Sequence, residues 1–518
     1  MSTAVAAPQQ QIFGQPIGLA TLFFTELWER LSYYGMRALL VLFMVDAIET
    51  GGFGMTDATA GAIYGIYTAS VYLASLPGGW VADRLIGQQN AVFVGGCVIA
   101  AGHFTMAAPL VPGLETFEYS SFFLGLALIV IGTGLLKPNV SALVGGLYPG
   151  KDERRDAGFS IFYMGINIGA FLGPLICGYL GEQVDWHLGF SAAGFGMLGG
   201  LVVFKYGQKW LGNVGTLEET PETQVTRRKD WRRLAAGSVA FVAAIGMVAW
   251  LMTSFGLSLD GLAQSLGVGI VLLAIVYFIY LIVAGGLTSR QKKRVGVIFL
   301  LFLGAAMFWS GFEQAGTSMN LFAERYTDRM LGSWELPASW LQSVNPIFLI
   351  IFAPLFGVLW LQLGSRQPSI PVKFGLGLVL LGLGFFVMSW GSTFIDLNGD
   401  GVSPMWLVMA YFLHTAGELC LSPVGLSSVT KLSPPHLVGQ MMGIWFMGSA
   451  LGNLIAGIVG GRIETMPMPT LFAIVASIAC VAGVAFFVFS FLINRLIGDL
   501  RQDDGLDQVP MEPIDEAI

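Results

Sequence analysis

The stretch "ELWERLSYYG" (residues 26–35) lies in a segment that otherwise has the apolar composition of a membrane-spanning helix. It contains two glutamates and one arginine within five positions. A single charge at the centre of a spanning helix costs about 2.5–3.5 kcal/mol even on lenient insertion scales. The stretch therefore predicts charges that pair with one another and face an interior cavity instead of lipid.

The polar side chains of this segment share one face of a helix. Counted from the first glutamate, they stand at steps 0, 3, 4, 7, 8 and 11: Glu26, Glu29, Arg30, Tyr33, Tyr34 and Arg37. At about 100° per residue, this set fills a stripe narrower than half the circumference. We interpret the stripe as an inward-facing polar seam. The alternative is a Glu–Arg pair that only packs, although a neutral pair would pack at a lower insertion cost.

The composition places the chain in a membrane. Of 518 residues, 55% are hydrophobic and only 11% are charged, whereas soluble domains carry about 25% charge. Runs such as 160–180 and 267–287 are each long enough to cross about 30 Å of hydrocarbon as a helix. The four cysteines lie in apolar segments without metal-like spacing, and we expect small core residues there: Cys97, Cys177, Cys420 and Cys480.

Fourteen apolar segments follow one another, at roughly 18–45, 57–82, 90–110, 121–144, 157–180, 188–210, 233–254, 262–287, 295–323, 339–361, 372–391, 404–430, 438–460 and 470–494. With the N-terminus inside, the inner loops hold twenty of the 26 Lys and Arg residues and the outer loops hold three. This positive-inside pattern predicts a multi-pass protein of the cell membrane with both termini in the cytoplasm.

The chain repeats itself at an offset of about 280 positions. "YMGINIGA" (163–170) is similar to "FMGSALGN" (446–453), and Pro77 precedes Gly87 by the same ten positions as Pro354 precedes Gly364. We therefore expect two six-helix bundles, which is a transporter architecture with its site between the halves. The predicted parts are a cytoplasmic segment 1–17, the bundle 18–210, a linker with two extra transmembrane helices 211–294, the bundle 295–494 and an acidic cytoplasmic tail 495–518.

Other polar residues interrupt the apolar segments. Lys137 precedes a helix-distorting proline and could also snorkel to the membrane surface, while Glu313 and Glu418 lie deep in their segments. Asn167 and Asn345 could equally bridge helices. With the α-helical seam, the predicted membrane interior holds three cations and four carboxylates. Since burial disfavours a charged carboxylate and a nearby cation favours it, a pair that opens and closes is a proton switch.

Several of these motifs resemble one family. E-x-x-E-R followed by "SYYG", "GGWVADRLIG" (78–87) after the second segment and "FSIFYMGINIGAFLGP" (159–174) on the fifth are similar to the proton-dependent oligopeptide transporter (POT/PTR) family of the major facilitator superfamily. The likeness spans almost the whole chain, and the two extra helices match prokaryotic members. It implies an all-α major facilitator fold with fourteen transmembrane helices, and import of di- and tripeptides with protons by alternating access.

The resemblance also implies roles for individual residues. The proton-coupling cluster would be Glu26, Glu29 and Arg30, and the peptide carboxylate would be bound by Arg37 and Lys137. The peptide amino group would be bound by Glu418 with Asn167 and Asn345. The side-chain pockets would be shaped by Tyr33, Tyr34, Tyr72, Trp309 and Trp445, with Ser422 nearby. The gate ion pairs would be Arg37–Glu313 and Lys137–Glu418.

One departure from the family concerns a histidine. Mammalian members carry one on the second helix where this chain has Gly65, so proton coupling here cannot depend on it. His414, one turn before Glu418, could contribute, but a packed neutral histidine is the simpler interpretation. We expect protons as the coupling ion, no cofactor and no metal, because "DLNGDG" (396–401) lacks the glutamate that completes a calcium loop.

Other functions remain open on the sequence. Nitrate or another small anion is an alternative substrate, as in plant relatives, which often have a changed E-x-x-E-R cluster. An intramembrane enzyme with a carboxylate pair would have no cations beside the pair, and a non-transporting sensor is a further alternative. We expect the lipid bilayer, protons and peptides as partners, no nucleic acid, and a functional monomer.

Overall fold

The structure, a computed structural model, describes residues 11–148, 152–217, 221–395 and 401–498. Parts of the sequence-based interpretation lie outside these ranges: residues 1–10 of the predicted cytoplasmic segment, most of the calcium-loop-like stretch (396–400), and the acidic tail from 499 onward. The described chain is nearly all helix, and each of the fourteen predicted segments contains one. Two short antiparallel hairpins complete it, Gln11–Ile12 with Gln15–Pro16 and Met330–Leu331 with Trp334–Glu335.

Six helices occupy the first predicted half: α1 (Ile17–Val45), α2 (Asp57–Val81), α3 (Gln88–Met106), α4 (Glu118–Gly146), α5 (Arg155–Gln183) and α6 (Trp186–Gly207). Two more follow, α7 (Pro221–Phe255) and α8 (Leu259–Ala284). α7 begins twelve residues before the predicted segment at 233, so the basic stretch that we interpreted as linker is helical. The physical reason is that Gln, Arg and Lys are good helix formers and Pro is favoured at the first helical position.

The second half contains α9 (Ser289–Phe312), a 3₁₀ turn (Glu313–Gly316), α10 (Ser318–Tyr326), α11 (Val344–Leu363), α12 (Ile370–Ser392), α13 (Met405–Leu432), α14 (Val438–Gly460), α15 (Met468–Val488) and α16 (Ser490–Ile497). Within the described chain, eleven helices are long and apolar enough to cross a membrane by length and composition. α1, α2 and α3 are not among them. In α1, the four charged side chains of the predicted seam lower the apolar character.

Glycine pairs allow neighbouring helices to approach closely. A Cβ added at Gly95 on α3 would lie 2.7 Å from the carbonyl oxygen of Gly132 on α4. The same contact recurs between α12 and α13, where a Cβ at Gly377 would lie 2.9 Å from the carbonyl oxygen of Gly417. The second pair follows the first by 282 and 285 positions, close to the offset of the sequence repeat. Small residues at such crossings are typical of helices packed in membranes.

By their contacts, the residues form two compact units. The first unit comprises the chain up to Met36 and Leu73–Leu262, and the second comprises Arg37–Tyr72 and the chain from Ala263 onward. α1 and α2 each contribute to both units. The core of the first unit gathers fully buried side chains of α1, α3, α4 and α6, among them Leu22, Val92, Leu136, Met197 and Phe204. The division into 18–210, 211–294 and 295–494 stays a prediction.

The cysteines divide between core and surface. Cys177 and Cys420 are buried, as expected, and Cys480 is partly buried. Cys97 is exposed, so its assignment to the core was wrong. The reason is the orientation of α3, whose preceding glycines, Gly95 and Gly96, face α4 and α6 and leave the next side chain on the outer side.

Candidate functional site

The first unit holds the charged cluster of α1. The Nε atom of Arg30 lies 3.1 Å from Oε1 of Glu26 and also forms a short ion pair with Glu29. The three side chains are at most 5% exposed. One guanidinium thus serves two carboxylates, and each carboxylate keeps one oxygen without a hydrogen-bond partner among the described residues, Oε2 of Glu26 and Oε1 of Glu29.

Aromatic rings and a lysine surround this cluster. The guanidinium of Arg30 lies 5.3 Å from the ring centre of Tyr33 and 6.0 Å from that of Tyr34, within the range of cation–π attraction. Lys137 on α4 is close enough for its charge to act on Glu26. Three of the four charges in the seam predicted from helical spacing, those of Glu26, Glu29 and Arg30, therefore meet one another inside the first unit.

α5 supports the cluster through glycines. A Cβ at Gly169 would lie 2.8 Å from the Cβ of Arg30, and one at Gly173 would lie 2.7 Å from the backbone nitrogen of Gly35. Both glycines belong to the small-residue spacing of "YMGINIGA" and its continuation. Asn167, on the same helix, is buried, and its Nδ2 donates to the carbonyl of Tyr163 at 2.9 Å. The described contacts therefore show this amide bonded within its own helix.

A buried histidine on α3 completes the surroundings of α1. The hydroxyl of Ser32 and Nε2 of His103 form a hydrogen bond of 2.8 Å, and neither residue is exposed. Sequence reasoning did not single out either residue. The only available signal was a histidine inside an apolar segment, because its partner lies 71 positions away.

The second unit holds a separate set of charges. The Nη1 atom of Arg37 lies 2.8 Å from Oε2 of Glu313, and their side chains are 8% and 4% exposed. Glu313 stands at the first position of the 3₁₀ turn that ends α9. Just beyond this turn, the Nδ2 atom of Asn320 donates to the carbonyl of Ala38 at 2.8 Å. The broken helix α9–α10 thus binds both the side chain and the backbone of the second half of α1.

Glu418 and Asn345 lie together in the same unit. The Nδ2 atom of Asn345 on α11 donates to the hydroxyl of Thr415 on α13 at 2.8 Å, so this amide does bridge two helices. Asn345 also lies beside Glu418, whose Oε2 has no hydrogen-bond partner in the part of the chain that the structure describes. The charge of Glu313 acts on Glu418 as well. A guanidinium, two carboxylates and an amide are therefore neighbours.

The predicted aromatic residues of the second unit differ in their surroundings. Trp309, one turn before Glu313, packs edge-on against Phe308 and Phe312, and its buried Nε1 has no hydrogen-bond partner among the described residues. Trp445 is only 5% exposed. Tyr72 and Ser422 are half-buried.

His414 and Gly65 occupy packed positions. The His414 ring is fully buried and lies 4.7 Å from the Phe385 ring, which supports the interpretation of a packed residue. A Cβ at Gly65 would lie 3.0 Å from the carbonyl oxygen of Leu454 and 3.2 Å from its Cα. A histidine therefore does not fit at this position without displacing α14.

An additional ion pair escaped the sequence analysis. Arg325, one of the three basic residues counted in the outer loops, lies on α10 and donates to both oxygens of Asp57 at 2.7 and 2.8 Å. The Asp57 side chain is fully buried at the start of α2. Its backbone nitrogen donates to Glu464. The 268 positions between Asp57 and Arg325 gave no local signal of this pair.

Lys137 belongs to the first unit and Glu418 to the second, so the gate pair predicted between them stays a prediction. Among the described residues, no group of His, Cys, Asp and Glu could hold a metal ion. Buried clusters of charge, in a chain whose described part has eleven helices long and apolar enough to span a membrane, define the class of this protein as a multi-pass membrane transporter.

Comparison with known proteins specifies the family. The POT family profile matches residues 89–471. The chain is 41% identical over 517 residues to the peptide transporter YePEPT of Yersinia enterocolitica subsp. palearctica, with 97% of this chain and 99% of the relative covered. It is 37% identical over 501 residues to a di-/tripeptide transporter of Lactococcus lactis subsp. cremoris, with 95% and 99% covered.

A crystal structure of peptide transporter POT in complex with sulfate matches with a TM-score of 0.85 and 42% identity, covering 95% of this chain and 97% of that chain. The chain belongs to the POT family. The fold expected from its sequence is thereby confirmed: an all-α major facilitator fold of two six-helix bundles with two additional helices.

Proposed function

We propose that this protein is a proton-coupled symporter that imports di- and tripeptides by alternating access. The observation that carries the proposal is the buried cluster of Glu26, Glu29 and Arg30, in which one cation faces two carboxylates. The named activities of the Yersinia and Lactococcus relatives, peptide and di-/tripeptide transport, supply the substrate class.

The α1 cluster provides a place for the coupling proton. Two ionised carboxylates and one guanidinium leave one negative charge in excess within the cluster, which Lys137 offsets less strongly than Arg30 does. Each glutamate has an oxygen without a hydrogen-bond partner among the described residues. Burial makes such an excess charge unfavourable, so one carboxylate is suited to take up a proton. Movement of Arg30 away from a glutamate removes its charge partner and favours protonation, whereas return of Arg30 favours release.

The substrate termini would be recognised by groups of opposite charge. Peptides differ in their side chains but always carry a carboxylate and an ammonium group. Arg37 and Lys137 are assigned to the carboxylate, and a guanidinium can bind it with two parallel hydrogen bonds. Glu418, with Asn167 and Asn345, is assigned to the ammonium group. The side-chain pockets are assigned to Tyr33, Tyr34, Tyr72, Trp309, Trp445 and Ser422.

Arg37 has to exchange partners in this scheme. Its guanidinium lies 2.8 Å from Glu313, so a peptide carboxylate and Glu313 compete for it. Protonation of Glu313 weakens the ion pair and makes Arg37 available to the substrate. Arg37–Glu313 and Lys137–Glu418 then act as gate pairs, with 18–210 and 295–494 as the moving bundles.

The proposed setting is the cell membrane, with both termini in the cytoplasm and the protein working as a monomer. The coupling ion is the proton, and the cycle uses no cofactor, metal or nucleic acid and catalyses no chemical reaction. Arg30 beside Glu26 and Glu29, and Arg37 beside Glu313, disfavour an intramembrane enzyme, which would have a carboxylate pair without cations.

Uptake of a labelled dipeptide into proteoliposomes under an imposed proton gradient tests the function. We expect accumulation that a protonophore abolishes and that an unlabelled tripeptide inhibits. A dipeptide amide, which lacks the carboxylate, should compete weakly, and nitrate should not compete. Inhibition by nitrate without inhibition by peptides would assign the protein to anion transport instead, and equal competition by amide and free acid would remove Arg37 and Lys137 from the substrate site.

A further inference from the structure

The first extra helix, α7, lies outside the packed core of its unit. It is apolar over an 18-residue window within Val225–Phe255, and none of this window is buried. Large side chains such as Phe241 and Trp250 are 68% and 62% exposed. A helix that is apolar all round and has no protein cover is solvated by lipid. The residues that precede its apolar part therefore lie at a membrane surface.

A dense basic run stands at this position. Five of the seven residues from Arg227 to Arg233 are Lys or Arg. Arg228, Lys229, Arg232 and Arg233 are exposed, and so is Trp231. At about 100° per residue, Arg228, Lys229 and Arg232 fall within about 100° of arc, with the tryptophan beside them. Arg233 lies at the edge of this arc and pairs with Asp230. Tryptophan prefers the boundary between lipid and water, which agrees with the position of the run.

The opposite face of the same helical turns is fixed to the protein. Asp230 points away from the exposed cations and its side chain is only 1% exposed. It lies 2.9 Å from Nη1 of Arg233 and 3.6 Å from Nη1 of Arg84, which is in the π-helical turn Ala82–Ile86 after α2. The single acid of the run is thus buried and neutralised, so it does not offset the exposed positive charge, and its contact sets the rotation of the helix.

A polar cavity adjoins the run. It has a volume of about 200 Å³, and its lining includes Arg227 with the side chains of Gln89, Asn90, Gln208 and Thr216. The Nε2 atom of Gln89 already donates to the carbonyls of Gly212 and Val214, and the Nδ2 atom of Asn90 donates to the carbonyl of Ile86. The cavity therefore gives the basic run polar surroundings on its protein side, and the charge that faces the membrane surface comes from the exposed cations.

We propose that Arg228, Lys229 and Arg232 form a surface that binds anionic phospholipids of the leaflet at which α7 begins. Two observations select this occupant. The surface is continuous with a helix that has only lipid around it, and its charge is complementary to anionic headgroups. Asp230 orients the surface by holding the other side of the helix against Arg84.

Native mass spectrometry of the full-length protein in detergent, titrated with phosphatidylglycerol or phosphatidylcholine, tests the proposal. We expect wild type to retain phosphatidylglycerol preferentially. The triple variant Arg228→Gln, Lys229→Gln, Arg232→Gln should lose up to about fivefold of this preference per neutralised charge. The matched control Lys293→Gln, Arg366→Gln, Lys431→Gln removes three exposed cations that are scattered along the chain, and it should lose little.

Several outcomes would overturn the proposal. Absence of any preference in wild type, or an equal loss in both triple variants, would show that no clustered lipid surface exists. Displacement of phosphatidylglycerol by inorganic phosphate at equal concentration would indicate a site for a free anion. Tighter binding of a polyglutamate peptide than of phosphatidylglycerol would indicate an acidic protein partner. Retention of the wild-type melting temperature by both variants shows that the comparison concerns binding and not folding.

Discussion

At the scale of single residues, Glu418 carries the sharpest prediction. Its Oε2 has no hydrogen-bond partner among the described residues, although the side chain is only 8% exposed. The ammonium group of a bound peptide would donate a hydrogen bond to this oxygen. A hydrogen bond to a charged group contributes about 1.5–3 kcal/mol. Glu418→Gln should therefore weaken dipeptide binding by about tenfold or more, measured by calorimetric titration of the purified protein.

The control for this variant is Glu153→Gln, which makes the same change at an exposed position on the α4–α5 connection. It should bind dipeptide like wild type. Wild-type affinity in Glu418→Gln would mean that the ammonium group is held elsewhere, and loss of affinity in both variants would point to a general effect of charge.

Asp152 lies outside the membrane-spanning helices, and we expect that its titration does not control the pH dependence of transport. Hydrogen bonds from the side chain and backbone of Arg154 lower the pKa of Asp152 to about 2, from an ordinary value of 3.8. Because the pKa of Asp152 is lower in the folded state, its ionised carboxylate stabilises the fold at pH values above the ordinary pKa. This stabilisation is lost as the pH falls through the folded-state pKa. Asp152→Asn should therefore leave the pH profile of dipeptide uptake unchanged above about pH 5, where this carboxylate stays ionised.

The residue-level site was only partly predictable from the sequence. Glu26, Glu29 and Arg30 lie within one helical turn, so spacing alone placed them together. Ser32–His103 and Asp57–Arg325 are pairs across 71 and 268 positions. No periodicity links such positions, since each partner looks like an isolated polar residue in its own helix.

At the scale of elements, the contact between α1 and α5 depends on Gly169. An added methyl group would clash first with the carbonyl oxygen of Leu27, and it would lie 2.8 Å from the Cβ of Arg30. Such overpacking typically costs about 1–3 kcal/mol. Gly169→Ala should therefore lower the melting temperature in detergent and reduce proton-driven uptake, because the shifted side chain is the one that pairs with both glutamates.

The matched control is Gly296→Ala on α9, where an added Cβ would meet nothing within 4 Å. Alanine is the better helix former by about 1 kcal/mol, so this variant should be at least as stable as wild type. If Gly169→Ala were equally stable and active, the close approach of α5 would have no part in holding Arg30.

Helix positions were more predictable than their ends. Apolar runs gave all fourteen segments because lipid requires each spanning helix to be apolar on its outer side. The ends depend on other forces. α7 begins at Pro221 and not near 233, because the charged residues before its apolar part are good helix formers. Their polar side chains lower the hydropathy, so a prediction from apolar runs missed this part of the helix.

At the scale of the whole molecule, α1 is shared between the two contact units. Its proton cluster belongs to the first unit, and Arg37, two turns after Arg30, belongs to the second. One continuous helix therefore carries both the proposed proton site and a proposed substrate ligand. The sequence repeat predicted two halves, but it could not show this sharing, because contacts between distant segments leave no trace in the spacing of residues along one helix.

This arrangement predicts that coupling and exchange can be separated. Glu26→Gln and Glu29→Gln should abolish proton-driven accumulation of dipeptide, while counterflow of peptide for peptide should partly survive, since exchange needs only the binding site and alternating access. Each charge that crosses 100 mV supplies about 2.3 kcal/mol, or about fiftyfold accumulation at 1.4 kcal/mol per decade. Arg30→Ala should uncouple as well, because both carboxylates lose their shared partner.

The two measurements belong in one preparation of proteoliposomes, with the imposed gradient present for accumulation and absent for counterflow. The control is Glu153→Gln, an exposed carboxylate that should show wild-type values in both. Loss of counterflow together with accumulation would indicate that the glutamines disrupt folding or peptide binding. Wild-type accumulation in both glutamine variants would show that the buried cluster on α1 only packs, and the proton would have to be carried by Glu313 or Glu418, the remaining carboxylates of the predicted site.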